Sequence, residues 1–110
     1  MSESATSLRR AVVDRVLDGP GTTGVDARHA AFDNRGLSGP MCALIDTVTK
    51  NAWKVTDADV AAARQAGVAD DEIFELVIAA ALGQSTRQLD AALRVLNLAA
   101  PLPSSEGGAA

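Results

Sequence analysis

The stretch that decides the fold is Thr56-Asp57-Ala58-Asp59-Val60-Ala61-Ala62-Ala63-Arg64-Gln65-Ala66-Gly67-Val68-Ala69-Asp70-Asp71-Glu72-Ile73-Phe74-Glu75-Leu76-Val77-Ile78-Ala79-Ala80-Ala81-Leu82. Its centre holds a helix stop and a helix start. Gly67 suits the left-handed residue that closes a helix. Three acids, Asp70, Asp71 and Glu72, then crowd the positive end of the next macrodipole. Upstream, Thr56 with Asp59 three residues on approximates a capping box, with Asp in place of the usual Glu. Downstream, Leu76 to Leu82 is apolar almost all round, so this helix is expected to run through the centre of the assembly. It continues to about Leu96 on a narrower stripe of Leu89, Ala92, Leu93 and Leu96.

Working back toward the N-terminus, Ser38-Gly39-Pro40 opens another helix, with Pro in the first turn where its missing N–H costs nothing. Met41, Leu44, Ile45, Val48 and Ala52 form its apolar stripe. A shorter helix is expected from Asp26, as N-cap, to near Gly36, with Phe32 buried. The first helix spans about Thr6 to Leu17 and stops at Gly19-Pro20-Gly21. Residues 100–110 read as a disordered tail after a single domain over residues 1–99. The expectation is an all-α bundle of about five helices with a long Ala-rich C-terminal helix. Alanine is the commonest residue, and there is no Tyr among the 110 residues. That composition favours closely packed helices over strands.

Charge and cysteine usage narrow the function classes. The formal net charge is −4, no basic run exceeds Arg9-Arg10, and no aromatic platform sits among basic residues, so nucleic acid is not expected as a partner. The run from Leu76 to Leu82 is far short of the roughly 20 apolar residues of a membrane span. A single Cys and no signal-peptide layout at Met1-Ser-Glu-Ser point to the cytoplasm. One His, one Cys and scattered carboxylates make no ligand-spaced set, so neither metal nor cofactor is expected.

The block from Asp59 to Glu75, followed by an Ala-rich apolar helix, resembles the C-terminal half of alkylhydroperoxidase D and the wider carboxymuconolactone decarboxylase superfamily. The likeness spans about Pro40 to Leu96. It implies an alkylhydroperoxidase D-like helical bundle that forms a homo-oligomer. In the hydroperoxidase members a Cys-x-x-Cys pair with a His and a Glu relay reduces peroxide. Aligning Gly67 with the family's Gly puts the two cysteines at Ala52 and Val55, the His at Asp59 and the Glu at Pro40. None of these side chains can do the chemistry of the one it replaces, so thiol-pair redox activity is not expected.

Other residues could carry chemistry, each with a plainer reading beside it. Cys42 sits near a helix N-terminus, where the dipole favours thiolate, yet free Cys is commonly a small buried hydrophobe. His29 is a base of suitable pKa for proton transfer, or simply a surface or packing histidine. Asp46 and Lys50 are an i,i+4 pair, which alone means a solvated helix face. Trp53, next to the positions of the family's redox centre, lines a residual pocket or belongs to an interface or the core. Glu75 and Arg87 lie twelve residues apart on the long helix, about 18 Å. They are either two solvated charges or an isologous pair between two copies. Gly83 in that helix suggests a close helix crossing.

The leading functional expectation is a non-redox small-molecule-binding or accessory subunit, oligomeric through the long helix, with a small molecule or a partner enzyme as its associate. Second comes a cofactor-free acid–base enzyme acting on a small carboxylated substrate, of decarboxylase or isomerase type. Single-cysteine peroxide scavenging by Cys42 ranks last.

Overall fold

The computed structural model describes the backbone of residues 3–99 and the side chains of residues 7–97. Five α-helices follow in order: α1 (Glu3–Asp18), α2 (Val25–Asp33), α3 (Gly39–Asn51), α4 (Asp57–Gln65) and α5 (Asp70–Ala99), with a 3-10 turn at Ala52–Lys54 between α3 and α4. The described residues contain no strand, so the chain is an all-α bundle. The tail expected over residues 100–110 lies outside the described residues.

Several boundaries follow from local chemistry. At the start of α4 the capping box is complete: the Thr56 amide donates to the Asp59 carboxylate (2.9 Å) and the Asp59 amide to Thr56 Oγ1 (3.3 Å). After α4, Gly67 takes φ +94°, a conformation that strains any residue with a Cβ. Ser38 caps α3, with Pro40 in its first turn.

Two ends differ from expectation. The N-cap of α2 is Gly24, and Asp26 sits within the first turn, where its charge still meets the helix dipole. The same helix stops at Asn34, in the left-handed region at φ 53°, two residues before Gly36. Asn tolerates that region, and its side chain is anchored, Nδ2 donating to Asp46 Oδ1 at 3.0 Å. The end of α3 also departs from pattern. Asn51 adopts φ −150°, ψ 67°, which breaks the helical register, so Ala52 leaves the stripe and becomes exposed.

The core gathers one face from each element: Leu17 from α1, Ala31 from α2, Met41, Leu44, Ile45 and Val48 from α3, Ala63 from α4, and Ile73, Leu76, Ala79 and Ala80 from α5. Phe32 packs against it, partly buried. The α3 stripe is thus as its spacing predicts, apart from Ala52. The segment Leu76–Leu82 is not enclosed all round. Ile78 and Ala81 are exposed, as is Phe74 one turn earlier. Four other helices cover only part of a helix circumference, and one face of α5 stays exposed among the described residues. Gly83 marks a close crossing, as its place in the helix suggests: a Cβ there would lie 2.1 Å from the Phe32 carbonyl oxygen at the end of α2.

Candidate functional site

The sequence candidates for catalysis do not converge on a cavity. Cys42 is exposed on α3. His29 Nε2 lies 2.8 Å from an Asp18 carboxylate oxygen, both residues being about half exposed. The Asp46 carboxylate takes the Asn34 amide and the Lys50 ammonium (3.0 Å each), and these contacts hold its pKa below the usual carboxylate range. None of the three lines the clefts between the helices. The described residues contain no group of three or more His, Cys, Asp or Glu placed to hold a metal ion.

What the fold does build is a cleft of about 190 Å³ between α1, the loop after it, α2 and α5, walled by Val16, Pro20, Phe74 and Ile78. Three charged side chains complete it: Arg15, Arg28 and Glu75. Arg28 is only 5% exposed. Its Nη1 donates to the carbonyls of Gly19 (2.6 Å) and Val16 (3.2 Å), at the C-terminal end of α1, where the last carbonyls of a helix lack intrahelical donors. Its Nε is buried without a hydrogen-bond partner. Leaving a buried donor unmet costs roughly 1–3 kcal/mol, more when the group is charged, and Arg28 keeps one such donor beside the cleft.

Glu75 closes the other side. Its carboxylate accepts the backbone N–H groups of Thr22 and Thr23, each at 2.7 Å. Gly21 makes this approach feasible, since a Cβ there would fall 3.1 Å from both carboxylate oxygens. The Thr22 and then the Thr23 amide stabilise the ionised form and lower the Glu75 pKa from 4.5 to about 2. Glu75 is therefore not a free surface charge. It is a staple that fixes the loop after α1 to α5.

The sign of the resulting pH dependence follows directly. A depressed folded pKa adds stability above the unfolded value, and that stability is lost as pH falls from about 4.5 through about 2. In urea titrations, Glu75→Gln should have its largest deficit near pH 7. The gap to the parent should close progressively between pH 4.5 and 2. A gap independent of pH would mean that the amides gain nothing from the charge.

Arg87 is likewise committed within its own chain, Nη1 donating to the Phe32 carbonyl at 2.7 Å and Nη2 to Gln84 at 3.3 Å. Trp53, on the 3-10 turn, overhangs a second cleft of about 220 Å³ between α3 and α5, lined by Thr49, Ala52, Ala81, Gln84 and Gln88 among others. Ala52 thus borders this second cleft. Arg28 is the residue that sequence reasoning passes over. An arginine in a short helix after a Gly-Pro-Gly loop carries no signal of burial, because the carbonyls that bind it belong to another helix end. No family model matches the chain, and neither does any curated protein or solved structure.

Proposed function

We propose that this chain is a non-redox small-molecule-binding subunit on an alkylhydroperoxidase D-like scaffold, and that it holds a small carboxylate in the Arg28 cleft. One observation carries the reading: a buried guanidinium with an unpartnered Nε borders a concave, mostly apolar space. The two oxygens of Glu75 are already engaged by loop amides, whereas the cleft's other charges, Arg15 and Arg28, are both cationic. An incoming carboxylate meets a site one positive charge in excess. Charge-assisted bonds to guanidinium are among the stronger hydrogen bonds available to it. Val16, Pro20, Phe74 and Ile78 then receive the ligand's apolar body. The volume is below the roughly 300 Å³ at which drug-sized sites begin, which suits a molecule the size of benzoate or hexanoate.

Binding is favoured over acid–base turnover by the same geometry. A general base works best with a pKa near the operating pH, and Glu75, at about 2, has little affinity for a substrate proton. Thiol chemistry is disfavoured too, since Cys42 borders none of these clefts. In this reading the subunit works in the reducing cytoplasm and self-associates through α5.

Arginine Nε–H resonances test the reading directly. Benzoate or hexanoate, at up to about 10 mM to detect millimolar affinity, should shift the Arg28 Nε–H signal and the Ile78 methyls. The matching alcohols should shift neither, and Ile78→Trp, which fills the cleft, should abolish the response. If the carboxylates leave Arg28 unmoved, the reading fails.

A further inference from the structure

We infer that two copies of this chain form an isologous dimer in which Trp53 of each copy enters a groove between α4 and α5 of the other. Trp53 is 78% exposed and Phe74 66%, an arrangement that leaves the two largest aromatic surfaces in water. The groove holds about 380 Å³ and is walled by Val60, Ile73, Phe74 and Val77, with Arg64, Asp70 and Asp71 at its rim. It is large enough to admit an indole, and its walls are apolar.

Helical geometry makes the two features self-complementary. Ala81, Gln84, Ser85 and Gln88 of α5 lie beneath Trp53, and Asp70, Ile73, Phe74 and Val77 line the groove. At 100° per residue both sets fall on one face of α5, their centres eleven residues or about 16 Å apart. A two-fold axis perpendicular to α5, passing between Val77 and Ala81, lays the helix antiparallel to its copy. Each Trp53 then sits over the opposite groove. The small side chains of Ala81 and Ser85 let the helices approach, and the exposed Phe74, Ile78 and Ala81 become covered.

Charge selects this orientation. Lys54 adjoins Trp53, and Asp71 rims the groove; among the described residues neither has an ion-pair partner, while Asp70 is bound by Arg64 at 2.6 Å. The antiparallel arrangement brings Lys54 to Asp71 of the partner subunit twice over. A parallel one would set lysine against lysine. Aromatic anchors inside a charged rim are the usual composition of an energetic centre in an interface. The Arg28 cleft lies about a quarter turn round α5 and shares Phe74 and Ile78 with this interface, so the two ideas are told apart at Arg28 and at Trp53, which belong to one of them each.

Trp53 is the sole Trp and there is no Tyr, so intrinsic fluorescence reports this residue alone. Sedimentation equilibrium should show a dimer by about 100 µM, with Trp53 emission moving to the blue and acrylamide quenching falling as dimer forms. Lys54→Asp and Asp71→Lys should each weaken dimerisation about tenfold by placing two like-charge contacts at the rim. Combining them should restore the affinity to within about threefold of the parent. Trp53→Ala should leave a folded monomer by circular dichroism. A parent that remains monomeric at about 100 µM overturns the inference. So does a dimer whose affinity is indifferent to Trp53→Ala, or charge reversals that fail to compensate.

Discussion

Gly83→Ala should lower the stability of the fold by about 3 kcal/mol, although the same change in an open helix raises it by roughly 1 kcal/mol. The reversal comes from one contact. An added methyl would lie 2.1 Å from the Phe32 carbonyl oxygen and 2.9 Å from its carbon. These are backbone atoms, so no rotamer change relieves the clash. The end of α2 must retreat by about 1 Å, and close-packed interiors transmit such shifts instead of absorbing them. Two further contacts are then strained. Ala31 and Ala80 are both fully buried in the core formed with α2 and α5, and Arg87 donates to the same Phe32 carbonyl at 2.7 Å. For a domain of this size the loss corresponds to a fall in Tm of more than about 10 °C. Thermal unfolding followed by circular dichroism measures it. A rise in Tm would show that α2 yields freely and that the glycine is not there for the crossing.

That crossing was half legible in the sequence. A glycine inside an Ala-rich helix announces that something approaches closely, but not what. The Phe32 carbonyl lies 51 residues away and belongs to the backbone, which leaves no side-chain pattern to read. The same division runs through the rest of the fold. Thr56 with Asp59, Ser38 with Pro40, and Gly67 act within one turn of their own helices, and each stands where local chemistry places it. Asn34 ends its helix in the left-handed region, which many residues resist but Asn accepts, a permissive property and so a weak signal. Glu75 was visible as an unusual charge on an apolar helix. Its partners are two amides in the loop before α2, which any residue but proline could supply.

The long helix therefore does three things on three faces. Toward the core, Leu76, Ala79, Ala80 and Gly83 set how closely α2 and α3 can pack. At its flank, Glu75 and Arg87 reach across to main-chain atoms, one taking loop N–H groups and the other a carbonyl, and so fix α2 at both ends. The third face, with Phe74, Ile78 and Ala81, stays exposed among the described residues. The near-continuous apolar run of Leu76–Leu82 answers to the first and third faces together, which is why it reads as buried all round although one chain buries only part of it.

Arg28→Ala should cost about 3 kcal/mol in the absence of ligand, most of it at the end of α1. At 5% exposure the side chain's methylene stem is packed, and its loss opens a void beside Val16. The Gly19 and Val16 carbonyls lose a charged donor at 2.6 and 3.2 Å. Water entering from the adjoining cleft can replace those bonds in part, which keeps the cost near 3 kcal/mol and below the sum of its components. Arg28→Lys should fall between, at about 1–2 kcal/mol, because an ammonium keeps the stem and can reach one carbonyl but has no planar fork to span two. Urea unfolding gives the totals, and amide exchange gives the location. Protection should drop for the last turn of α1, including the Gly19 amide that bonds to the Arg15 carbonyl, while α3 and α5 keep theirs. If exchange instead rises evenly across the chain, Arg28 is a general packing residue. If stability changes by less than about 0.5 kcal/mol, the α1 end is held by something other than this guanidinium, and the case for an unsatisfied buried charge at the cleft weakens with it.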